Sequence, residues 1–171
     1  MASLPSSDTS GQLEALRVAV RGAAGRPGLS QILPRLQRSH LRDLIRREQW
    51  THGDLARHPE PREVIRSRRR AGNVDPNGRF VRIFDARRVL VEDVHENRLV
   101  RHVVRDVKAR LSAMEGPEAA QLRKELDGAI ARAPFLRNVG DLKARPTEPT
   151  PALLADPLYR TIFQSWLELS R

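Results

Sequence analysis

The chain has 171 residues, 39% of them hydrophobic, with 31 Lys and Arg against 21 Asp and Glu and a net charge of +10. That length suits one domain with a modest core, and the basic balance points to nucleic acid or another polyanion as partner. The absence of cysteine excludes disulfides, zinc-thiolate sites and thiol nucleophiles, and no apolar run approaches the roughly 20 residues a bilayer span needs, so a cytoplasmic protein with no membrane partner is expected.

Residues 1–10 are polar and read as a disordered leader, and 11–171 as a single mainly helical domain. Leu13, Leu16, Val20 and Ala23 fall at helical spacing and predict a first helix capped near Ser10 and ending at Gly25-Arg26-Pro27-Gly28. Ile32, Leu33, Leu36, Leu41, Leu44 and Ile45 continue the apolar series, but Pro34 interrupts it, which predicts a short helix followed by extended chain. Residues 46–78 are charged and rich in Pro and Gly, and read as loop. The β-branched and aromatic runs Arg79-Phe80-Val81-Arg82-Ile83-Phe84 and Arg88-Val89-Leu90-Val91, separated by Asp85-Ala86-Arg87, predict a small hairpin. Residues 61–94 hold nine Arg against five acids.

From Val94 the pattern is helical up to Gly116, and Pro117 then sits where a first helical turn accepts proline. Leu122, Leu126, Ile130 and Ala133 carry a second helix, so an antiparallel helical hairpin is expected over about 94–133. A proline-rich connection over 134–156 leads to a last helix at about 157–171, with Tyr159, Ile162, Phe163 and Trp166 on one face. The fold class is therefore mainly α: a small helical domain with a long antiparallel helical hairpin and a minor β-hairpin or extended segment.

On the helix beginning near Val94, Val100, Val103, Val104, Val107, Leu111 and Met114 share one arc, while Arg98, Arg101, Arg105 and Lys108 share a neighbouring one. A row of four cations could follow a phosphate backbone; the alternative is a solvated face with local acidic partners such as Asp106. Glu96 falls on the apolar arc and needs a partner there, either backbone N–H groups of the first turn or an arginine of the 62–70 cluster. Glu96-Asn97-Arg98 then ties the preceding loop to the helix, an architectural role.

Two stretches, Val91-Glu92-Asp93-Val94-His95-Glu96-Asn97-Arg98-Leu99-Val100 and Pro157-Leu158-Tyr159-Arg160-Thr161-Ile162-Phe163, resemble the uncharacterised helical domain that precedes the nuclease in McrC-like proteins. These are modification-dependent restriction and phage-defence components, with related versions beside nucleoside-triphosphatase partners. The resemblance covers roughly residues 13–171 and implies a following nuclease of the PD-(D/E)XK type. Asp106-Val107-Lys108 and Asp141-Leu142-Lys143 match D-x-K only in mid-helix and in a loop, so no catalytic residue is carried over and neither metal nor cofactor is expected.

Other chemistry finds no support. His95-Glu96 begins like H-E-x-x-H, but position 99 is Leu, and His95 and His102 stand two turns apart. His40, His52 and His58 lack a matching acid and nucleophile, and Trp50 and Trp166 suit packing better than base stacking. The expectation is a non-catalytic nucleic-acid-binding or adaptor module of a McrC-like restriction and antiviral defence system. Arg62, Arg66, Arg68, Arg69, Arg70, Arg98, Arg101, Arg105 and Lys108 would contact phosphate, DNA being the expected polymer. The alternative is a scaffold that docks a nuclease or AAA+ NTPase partner through Tyr159, Phe163 and Trp166 without touching nucleic acid.

Overall fold

Apolar residues at helical spacing build most of the chain. A computed structural model describes residues 7–56, 59, 61–143 and 148–170, and places seven α-helices and four strands among them. The protein is mainly α, and it divides into two units, residues 1–42 with 92–171, and residues 43–91, where a single domain is expected.

The first unit contains α1 (Ser7–Arg21), β1 (Gly22–Ala23), β2 (Arg26–Pro27), α2 (Leu29–Ser39), α4 (His95–Ala113), α5 (Pro117–Ala131), α6 (Pro151–Ala155) and α7 (Pro157–Leu169). Residues 7–10 are already helical, so the leader is shorter than its polarity suggests. Residues 1–6 of that leader lie outside the described residues. The α1–α2 link is a two-rung antiparallel bridge, and it requires glycine: a Cβ on Gly28 would meet the Gly22 nitrogen at 2.3 Å. Pro34 lies inside α2 without ending it. Leu29, Ile32, Leu33 and Leu36 are all buried, and their burial outweighs the backbone bond that Pro34 forfeits.

The α4–α5 hairpin turns at Gly116, which has φ +114°, with Pro117 in the first turn of α5. Its facing sides bury Val100, Val103, Val107 and Leu111 with Leu122 and Leu126. Completing the same core, α7 adds Tyr159, Ile162, Phe163 and Trp166.

The second unit departs most from expectation. The stretch 46–78 is not all loop, because β3 (Asp43–His52) and α3 (Pro61–Arg68) lie in it. Nor do residues 79–91 form a hairpin of their own. A single strand, β4 (Arg82–Val91), runs through Asp85-Ala86-Arg87 and pairs antiparallel with β3 over ten rungs, from Asp43↔Val91 to His52↔Arg82. A long partner strand supplies the ladder bonds that hold the polar tripeptide extended, and no local turn is required.

Candidate nucleic-acid interface

Helix α4 carries its expected basic row, and each member has a carboxylate partner. Arg98 forms a two-pronged pair with Asp93, at 2.8 and 2.7 Å. The Arg98 guanidinium, then the Gly140 N–H, hold the Asp93 carboxyl down at about 2. Asp141 accepts from Arg105 at 2.5 Å and lies 4.0 Å from Arg101, while Lys108 donates to Asp127 at 2.6 Å. The exposed pairs of Arg105 and Lys108 contribute little stability, but they offset the charge that a phosphate would meet.

The Glu96-Asn97-Arg98 triplet organises the chain path. Asn97 is fully buried; its Nδ2 donates to the carbonyls of Leu41 at 2.8 Å and Glu92 at 2.7 Å. The Tyr159 hydroxyl donates to Asn97 Oδ1 and accepts from the Leu41 N–H at 2.9 Å. Burial pushes the Tyr159 hydroxyl up to about 12. Glu96 accepts from the Thr150 hydroxyl at 2.7 Å, where a backbone or arginine partner is expected, and Thr150 Oγ1 also caps α6 through the Leu153 N–H. His40, also buried, sets its Nε2 2.9 Å from Glu92 and stacks on Phe135 with ring centroids 4.5 Å apart. The Asn138 amide and then His40 lower the Glu92 carboxyl.

Tyr159, Phe163 and Trp166, expected at a partner interface, are instead buried at 0, 6 and 8% exposure. The helices of their own unit already cover them, so α7 needs no external surface. Asp106 and Asp141, the acids of the two D-x-K matches, pair with Arg110 and Arg105. His52 stands 3.5 Å from Asp54 at the surface; His58 lies outside the described residues. Among the described residues no group of three side chains could hold a metal.

The 62–70 cluster is of another kind. On α3, Arg62, Arg66 and Arg69 follow at intervals of four and three, one face of a helix, and the Arg69 N–H extends the helical pattern by donating to the Ile65 carbonyl. All five arginines of the cluster are exposed. Arg66 lies 3.7 Å from Glu63, and the Arg70 guanidinium carbon sits 4.7 Å from the Trp50 ring centroid, a cation–π contact. Among the described residues, no carboxylate lies within ion-pair distance of Arg62, Arg68 or Arg69. Asn73 fixes the end of this helix against β4: its Nδ2 donates to the Ser67 and Arg82 carbonyls and its Oδ1 accepts from the Arg82 N–H.

The β3–β4 register adds residues that the sequence does not single out. Arg46 stands opposite Arg88 and Arg47 opposite Arg87, on consecutive rungs at the middle of the ladder. Only the pairing brings these four together, and nothing local in either strand signals it. Comparison with protein-family models, with curated proteins and with solved structures finds no match.

Proposed function

We propose that the protein binds nucleic acid, most simply duplex DNA, through residues 43–91, and performs no chemistry on it. The observation that carries this reading is the exposed arginine cluster around α3, in which Arg62, Arg68 and Arg69 stand without a carboxylate partner among the described residues. The same unit has twelve Arg against seven Asp and Glu, a net +5 in 49 residues. Arginine–phosphate contacts position a protein on the polymer and carry no sequence information by themselves. The α4 row takes second place to the α3 cluster as a phosphate surface, because its charges are locally paired and an aliphatic surface lies beside them. The resemblance to McrC-like proteins contributes the biological setting, a recognition or adaptor role in restriction and defence.

Fluorescence anisotropy with labelled duplex and single-stranded oligonucleotides, across a salt series, tests the reading. Affinity should fall steeply as salt rises, and replacing Arg68, Arg69 and Arg70 by Ser should flatten the log–log slope by about one unit for each phosphate no longer neutralised. A weak response indifferent to salt, or an unchanged slope in the triple variant, would sink it.

A second reading, a protein-docking scaffold, is favoured by a separate observation. Leu44, Ile45, Leu55, Ile65, Val74, Val81 and Leu90, seven of the nine most exposed large apolar residues among those described, lie in residues 43–91. Size measurement with and without oligonucleotide separates the two, since docking between proteins does not require the polymer.

A further inference from the structure

The α4 cations border a second feature that the nucleic-acid reading does not use. Between α4, the end of α5 and the 3₁₀ turn Pro134–Asn138 lies a groove of about 320 Å³. Its floor is apolar, made of Val104, Ile130, Ala133 and Leu136, and its rim carries Arg101, Arg105, Lys108 and Arg137. No acidic residue lines it. The volume stands at the lower end of the range for specific ligand sites.

We infer that this groove docks a short acidic, amphipathic segment of a partner protein, with apolar side chains on the floor and carboxylates on the rim. Two features favour a peptide with several carboxylates. From Arg101 to Lys108 the rim follows two turns of α4, roughly 10 Å, so a single small carboxylate could engage only one end. Further, the protein already demonstrates the contact: Asp141, itself 74% exposed, places Oδ1 2.5 Å from Arg105 and 4.0 Å from Arg101. Lys108 likewise donates to the exposed Asp127 at 2.6 Å, so an incoming Glu or Asp would exchange with surface pairs that water already weakens. Arg137 has no carboxylate partner among the described residues and adds a lining cation from the 3₁₀ turn. A phosphate backbone suits the site poorly, because the surface between the cations is aliphatic and gains nothing from a charged polymer. This inference is independent of the nucleic-acid reading, whose residues belong to the other unit.

The test uses the full chain and three fluorescein-labelled helical peptides, one of Glu, Leu and Ala, a second with Lys for Glu, and a third with Ser for Leu. The Glu/Leu peptide should bind saturably, and each of the other two at least about tenfold more weakly. Arg105→Ser with Lys108→Ser, at exposed positions, should weaken the Glu/Leu peptide by about tenfold while leaving duplex DNA binding unchanged. Ile130→Ser should do the same from the floor; if that variant misfolds, the Ser-for-Leu peptide probes the apolar contact in its place. The inference is overturned if the Glu/Leu peptide does not saturate, or if the Glu/Ser peptide binds as well. It is equally overturned if the α4 double variant loses DNA affinity to the same degree, which would make the rim a phosphate surface.

Discussion

Replacing Asn97 by Leu would strip a partner from the Leu41 and Glu92 carbonyls and from the Tyr159 hydroxyl in one step. Each buried polar group so orphaned costs about 1–3 kcal/mol, so chemical denaturation of Asn97→Leu should show a loss of about 3 kcal/mol or more with the helical spectrum retained. Asp93 offers a pH test. Its folded value, about 2, lies below its ordinary 3.8. The stabilisation it contributes is therefore complete above about pH 4 and is lost as pH falls through about 2. Melting temperatures recorded from neutral pH downward should drop through that window, and Asp93→Asn should flatten the drop while lowering stability at neutral pH. Neither role is written in the neighbouring sequence: Tyr159 reaches Asn97 from 62 positions away, and Gly140 reaches Asp93 from 47.

At the level of elements, legibility follows how local the decisive interactions are. The hairpin of α4 and α5 is legible because its apolar stripe repeats within each helix and the Gly116-Pro117 turn is marked by residue type. The ribbon is not, because β3 and β4 find one another across residues 53–81 and a polar tripeptide inside β4 imitates a turn. The α4 cations are legible in position but not in state, since Asp127 and Asp141 arrive from other segments. Two-stranded ribbons are marginally stable by themselves, and Ile83 is the one apolar residue below a tenth exposure among those described in residues 43–91. Amide hydrogen exchange should accordingly be faster along β3 and β4 than at Val100–Leu111 of α4, where the core is densest. Equal protection in the two would contradict this ranking.

Across the whole molecule, the two units share the net charge evenly but not its density, since +5 falls on 49 residues and +5 on the other 122. Among the described residues, the smaller unit holds Arg62, Arg68 and Arg69, which have no carboxylate partner, and most of the exposed aliphatic surface, and the larger holds nearly all of the core. Asn97 gives this division a practical meaning. One side-chain nitrogen grips Leu41 just before the chain leaves the helical unit and Glu92 just after it returns, so exit and re-entry stand side by side. The ribbon is in that sense an insert, and the helical host is already closed without it. Excising residues 43–91 and joining the stumps with a short Gly-Ser bridge should yield a cooperatively melting, helical protein that keeps the acidic-peptide site and has lost affinity for oligonucleotides, so that each module can be assayed and exchanged on its own.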